Sequence, residues 1–254
     1  MSLLSVQGLG KSFGGVHAVD GIDFTLHRGE LLALIGPNGA GKSTTFNMIN
    51  GQLRADRGSV MLDNQNLVGL HARQICRKGV GRTFQIAETF LSLSVIENVQ
   101  MALLSHTRNI FSFFKSAAAF QRKEALELLH QVGMADQADR PISELAYSDV
   151  KRVELAIALA TQPTLLLMDE PTAGMAPAER NDLMALTKKL VVERQIAVLF
   201  TEHSMDVVFA YADRVIVLAR GQLIAQGSPE EIRVNPEVQR VYFGSGATFE
   251  DFNA

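Results

Sequence analysis

Residues 36–44 read Gly-Pro-Asn-Gly-Ala-Gly-Lys-Ser-Thr, and no other stretch limits the fold of this chain so tightly. The spacing of Gly36, Gly41, Lys42 and Ser43 is that of a phosphate-cradling loop, which needs a buried strand before it and a helix after it. Both flanks fit. Leu31-Leu32-Ala33-Leu34-Ile35 is an unbroken apolar run, and residues 44–49 open a helix. Glycines let the backbone curl so that successive N–H groups point at one phosphate chain, and the helix N-terminus adds partial positive charge. In this pattern Lys42 reaches the outer phosphates, the Ser43 hydroxyl sits on Mg²⁺, and Asn38, Gly39, Gly41 and Thr44 complete the cradle. A glycine-rich turn of no function would require none of these flanks. The chain carries a nucleoside-triphosphate site on an α/β core.

The 254 residues suffice for one large domain or for a core with an inserted subdomain. A net charge of −3 and a pI of about 6.1 leave no overall basic field for nucleic acid. The single cysteine, Cys76, excludes an internal disulfide and suits a reducing compartment. Residues 1–8 lack the charged and apolar regions of a signal peptide, and no run approaches the ~18 apolar residues of a spanning helix. A role at a membrane would therefore pass through a partner.

Strands are expected at residues 4–9, 22–26, 31–35, 58–63 and 80–85. Phe13, between the first two, either packs in the core or offers a ring for a base to stack on. Residues 94–133 change to helical spacing. Val95, Val99, Ala102 and Leu103 form one stripe, and Ala125, Leu126, Leu128, Leu129 and Val132 form another. The aromatic cluster at 110–115 between them either packs inside or forms a docking patch. A helix over 153–160 stops at Pro163, and residues 165–168 are apolar before Asp169-Glu170. A helix over 178–193, a strand over 196–200 ending at Thr201-Glu202-His203, a hairpin around Arg220-Gly221 and a short helix from Pro229 follow. Residues 245–254 read as a loose tail. With no repeat or linker, the helical block is an insertion: a core at 1–88 and 160–228, the insert at about 89–159, and C-terminal helices from 229.

A strand delivering Asp169 and Glu170 at its C-terminal end supplies the second half of a P-loop site: Asp169 to hold Mg²⁺ through water, Glu170 to polarise the attacking water. Taken in order, Phe13, the P-loop, Gln85, Asp169-Glu170 and His203 resemble the ATP-binding-cassette family over nearly the whole chain. That resemblance implies a P-loop core of the RecA type with an antiparallel β layer and an inserted helical subdomain. It also implies ATP as substrate with Mg²⁺. Phe13 would stack adenine. Gln85 would touch Mg²⁺ and the attacking water and sense a transmembrane partner, and His203 would contact the γ-phosphate. Arg82-Thr83-Phe84-Gln85, Thr201-Glu202-His203-Ser204-Met205-Asp206, Gly227-Ser228-Pro229-Glu230-Glu231-Ile232 and Val241-Tyr242-Phe243-Gly244 are similar to the larger ATPase of bacterial importers for branched-chain amino acids and related solutes. Such a chain works on the cytoplasmic face of the inner membrane with permease subunits and a second cassette, either a paralogue or another copy. A periplasmic binding protein acts indirectly. Two other readings stay open: the ATPase of an exporter or lipid extractor, and a soluble ATPase switch.

The resemblance breaks at the signature, where the family has L-S-G-G-Q or L-A-Y-G-Q and this chain has Leu145-Ala146-Tyr147-Ser148-Asp149. Family signatures present N–H groups to an ATP held by the facing subunit. Ser148 restricts the backbone where the family has glycine, and Asp149 puts a carboxylate in the first helical turn. Either the site completed by Ala146, Tyr147, Ser148 and Asp149 turns over weakly, making the dimer asymmetric, or both are harmless first-turn choices. A second departure is Ala176, where the family often places an aspartate.

Overall fold

The opening strands run longer than the apolar stretches that mark them. β1 (Ser2–Phe13) and β2 (Val16–His27) pair antiparallel around Gly14-Gly15, both at positive φ, so the polar outer halves are held by backbone pairing rather than by burial. The chain then leaves this layer to form β3 (Leu31–Ile35), every residue of which is buried. β4 (Arg57–Leu62) and β5 (Gln65–Asn66) return and give a four-stranded antiparallel sheet in the order β2-β1-β4-β5. The computed structural model describes residues 2–83, 89–107 and 121–243. Gln85, the aromatic cluster at 110–115 and the tail from 245 lie outside them.

The second sheet is built from β3, β6 (Val80–Thr83), β7 (Leu165–Asp169), β8 (Ala197–Thr201), β9 (Arg214–Ala219) and β10 (Gln222–Gly227), in the order β10-β9-β3-β8-β7-β6. Its first five members in chain order run parallel, and β10 returns antiparallel through a two-residue turn. Arg220 and Gly221 there have φ of 49° and 80°, the consecutive positive values such a hairpin requires. Parallel strands covered on both faces read as continuous apolar runs, and β3 shows why. Leu31, Ala33 and Ile35 join a core shared with the helices, while Leu32 and Leu34 join the core under the antiparallel layer.

The helices are α1 (Lys42–Ile49), α2 (Ala72–Arg77), α3 (Val95–Thr107), α4 (Arg122–Gln131), α5 (Tyr147–Ala160), α6 (Pro177–Arg194), α7 (Met205–Tyr211), α8 (Pro229–Arg233) and α9 (Pro236–Phe243). The expected stripes pack α3, α4 and α5 together. Val95, Val99 and Leu103 meet Ala125, Leu129 and Val132, all fully buried, with Ala102 and Leu126 at the margin. α5 begins six residues before the apolar stripe at Val153, because its first turns are polar. No helix among the described residues is long and apolar enough to cross a membrane. The parallel strands β3, β7 and β8 end on one side, and there they hand the chain to the P-loop, to Glu170 and to Glu202-His203, the edge where ligands of open α/β sheets bind.

Candidate nucleotide site

The loop from Gly36 to Gly41 owes its shape to its glycines. A side chain on Gly36 would lie 2.2 Å from the Leu218 carbonyl, and one on Gly41 2.5 Å from the Ala18 carbonyl. Gly41, at φ 103°, caps α1, so the free N–H groups of the first turn face the loop interior. Lys42 is buried and folded over its own loop, its Nζ donating to the carbonyls of Gly36 (2.6 Å) and Pro37 (3.3 Å). Burial lowers the pKa of this ammonium, opposed by the nearby carboxylates of Glu170 and Asp169.

Asp169 closes β7 with both oxygens engaged. Oδ1 accepts from Thr201 Oγ1 at 2.8 Å and Oδ2 from Arg82 Nη2 at 3.1 Å. The next residue, Glu170, sits at φ 47°, a left-handed conformation that a non-glycine residue adopts only where its surroundings enforce it. Its N–H donates to Thr201 Oγ1 and to the Thr201 carbonyl, which pins the strained residue to β8. Its Oε1 accepts from His203 Nε2 at 2.8 Å. Glu170 and His203 thus form one acid–base pair from two strand ends.

A cleft of about 320 Å³ gathers most of the expected residues: Phe13, Asn38, Gly39, Gly41, Lys42, Ser43, Thr44, Glu170 and His203 all line it. Phe13 is 49% exposed at the mouth, which ends the core-packing alternative; the Lys11 ammonium lies 5.5 Å from its ring centroid. Asp169 does not line the cleft. The signature residues do not line it. Tyr147, Ser148 and Asp149 form the first turn of α5 after Ala146, with no side-chain cap, and Asp149 is the acidic residue of that turn. The Ser148 hydroxyl donates to Glu179 Oε1 at 2.8 Å in α6 of the same chain, and Glu179 Oε2 accepts from Ala176 N–H at 3.1 Å. These bonds hold the Glu179 carboxyl below its ordinary range. The ring of Tyr147 lies over Gly174.

Two residues of this centre carry no expectation from sequence beyond their place in a motif string. Glu202 is 3% exposed. Its Oε1 accepts from Thr172 N–H (3.0 Å) and Oγ1 (2.6 Å), and its Oε2 from the N–H groups of His203 (3.1 Å) and Ser204 (3.4 Å). It fastens the loop after Glu170 to the loop carrying His203. Arg82 is the other, through its bond to Asp169. The one signal for Glu202 was a charge directly after a strand that is otherwise apolar.

This geometry can be compared with known proteins. Residues 19–173 match the family model described as ABC transporter, and residues 222–248 match that of the branched-chain amino acid ATP-binding cassette transporter. The chain belongs to the ABC transporter family. This cassette is 41% identical over 95% of its length, and 98% of the relative's, to the high-affinity branched-chain amino acid transport ATP-binding protein LivG of Escherichia coli. It is 39% identical, at the same coverage, to BraF of Pseudomonas aeruginosa, which bears the same description. Among solved structures it is similar to an ATP-binding cassette of an ABC transporter in its ADP conformation, with a TM-score of 0.86 and 30% identity over 96% of this chain and all of that one. A nucleotide-free cassette gives 0.84 and 31% at the same coverage. The cassette binds ATP and hydrolyses it, as its family does.

Proposed function

We propose that this cassette powers the import of branched-chain amino acids or related small solutes through separate permease subunits, from the cytoplasmic face of a bacterial inner membrane, as one of two paired cassettes. The observation that carries the reading is the match of residues 222–248 to the branched-chain amino acid cassettes, a segment outside the ATP site common to the whole family. A core of 1–88 and 160–228 would do the chemistry. The insert at 89–159 would offer the signature to the facing subunit, and residues from 229 would form the branch-specific end.

In this reading the P-loop N–H groups and Lys42 bind the phosphates, Phe13 stacks the adenine, and Glu170 takes the proton of the attacking water while His203 holds its carboxylate. The oxygen donors Ser43 and Asp169 fit Mg²⁺, which binds through one or two carboxylates plus substrate phosphates rather than in an all-protein cage. Bound there, it would neutralise charge on the β- and γ-phosphates. Gln85 would complete the set. A permease helix would occupy the groove beside β6.

The test is uptake. The chain is purified with the membrane proteins that accompany it, reconstituted in vesicles and supplied with ATP, a binding protein and labelled leucine. Expected is ATP-dependent leucine accumulation that Lys42→Ala abolishes. Movement in the opposite direction, or the absence of any membrane partner, overturns the reading.

A further inference from the structure

Arg82 lies in β6, the edge strand of the parallel sheet, and reaches α1, the segment just beyond it and β7. Its Nη1 donates to Asn47 Oδ1 on α1 and to Gln52 Oε1 just beyond α1, both at 2.8 Å, and its Nη2 donates to Asp169 Oδ2 at 3.1 Å. The side chains of Arg82 and Asp169 are 13% and 16% exposed, so these charge-assisted bonds form largely out of water. A planar guanidinium can satisfy three acceptors in fixed directions; a lysine ammonium of equal charge cannot hold the same fork. With Thr201 Oγ1 on its other oxygen, Asp169 is held from two sides and cannot turn without breaking one contact.

The same guanidinium lines a second, mostly apolar groove of about 330 Å³ between α2, β6, α3 and α5, together with Gln52, Cys76, Ala102 and Ile157. Among the described residues Arg82 both lines this groove and bonds the carboxylate of Asp169. Whatever enters the groove and displaces Gln52 or the guanidinium therefore acts on Asp169 through one side chain.

We propose that Arg82 is a positioning residue that couples occupancy of the groove to the grip of Asp169 on Mg²⁺-nucleotide, and so carries contact with the permease helix to the metal carboxylate. This rests on the reading of Asp169 as the residue that holds Mg²⁺ and of the groove as the seat of that helix.

The experiment uses the isolated full-length chain and needs no turnover. Binding of a fluorescent ATP analogue is followed as Mg²⁺ is titrated. Arg82→Lys keeps the charge and loses the fork, and partners behind a metal ligand are typically worth about 10–100-fold in metal affinity. The half-saturating Mg²⁺ is expected to rise about tenfold, with analogue binding in EDTA unchanged and the thermal melt lowered by only a few degrees, as the loss of part of the fork requires. Cys76 provides a groove probe that requires no permease. It is exposed and is the chain's single cysteine, so N-ethylmaleimide places one adduct there. Burial raises its thiol pKa, partly offset by Arg77, so labelling is run with excess reagent for longer near neutral pH, where the maleimide spares amines, and verified by mass.

Full labelling is expected to raise the half-saturating Mg²⁺ of the wild type by about fivefold, the usual scale of coupling between two sites, and to add nothing in Arg82→Lys. The proposal is overturned if Arg82→Lys leaves the Mg²⁺ requirement unchanged, if labelling leaves the wild type unchanged, or if the labelled variant shifts as far as the labelled wild type. If Asp169→Asn leaves the wild-type Mg²⁺ dependence intact, the assignment of Asp169 falls, and the Arg82 proposal with it. Loss of the permease reading alone leaves the Mg²⁺ titrations, and the coupling they measure, unaffected.

Discussion

Glu170 is held where a carboxylate would not rest by itself. Its left-handed backbone is fixed by Thr201, and its side chain is met by His203 at 2.8 Å. Two residues that meet at one reacting water act as a unit, and the effects of such residues do not add. Glu170→Gln should keep ATP binding and slow single-turnover hydrolysis by about 10²–10⁴-fold, the range for a positioned general base. His203→Ala should slow it by about a hundredfold, and the double variant should be no slower than Glu170→Gln alone. A double variant slower by the product of both effects would show that the imidazole contributes through the phosphate rather than through this carboxylate. Glu202 supports the pair through the backbone, since one of its oxygens accepts from Thr172 on one loop and the other from the His203 N–H on the other.

Where α5 meets α6, the signature helix is tied to the catalytic core by two polar contacts one turn apart. Ser148 bonds Glu179, and Arg152 Nη2 lies 3.9 Å from Asp182 Oδ2. The serine that replaces the family glycine therefore has a partner within its own chain, and Asp149 is the carboxylate that the first turn of α5 itself carries toward a facing phosphate. The two substitutions can be separated in the assembled transporter with this chain's own P-loop silenced by Lys42→Ala, so that turnover reports the partner's ATP. Asp149→Gln should raise that turnover by about fivefold, only part of the ~4 kcal/mol that two like charges 4 Å apart would feel at an effective dielectric of 20. Ser148→Gly should not raise it. A rise from Ser148→Gly alone would move the penalty from charge to backbone.

The same element shows what the sequence makes legible. The P-loop, Asp169-Glu170 and Thr201-Glu202-His203 are local strings at strand ends, so spacing and the apolar run before each reveal them. The bonds Ser148–Glu179, Arg82–Asp169 and Glu202–Thr172 join residues 31, 87 and 30 positions apart. A single polar letter in a helix or at a strand end reads as a solvated face until the fold brings its partner beside it. The polar ends of β1, β2 and α5 escaped for a related reason, because backbone pairing and helix propagation extend past the apolar pattern.

At the scale of the molecule, the six-stranded sheet lies between two cores, and the one containing Leu31, Ala33 and Ile35 continues without a break into α3, α4 and α5. The signature helix is therefore packed on the sheet that carries the P-loop, yet its first turn lies outside the cleft that the P-loop lines. In the proposed reading, the signature N–H groups that complete the site come from another cassette. That requirement predicts association driven by bound, unhydrolysed ATP. On a sizing column with light scattering, Glu170→Gln should run as a monomer with ADP and as a dimer with Mg²⁺-ATP, and adding Lys42→Ala should return it to the monomer. Should the ATP-bound form stay monomeric at every concentration, the facing cassette must be a different chain. The Asp149→Gln variant then separates the causes: a dimer restored by removing this one charge assigns the failure to repulsion at the signature rather than to the shape of the two surfaces.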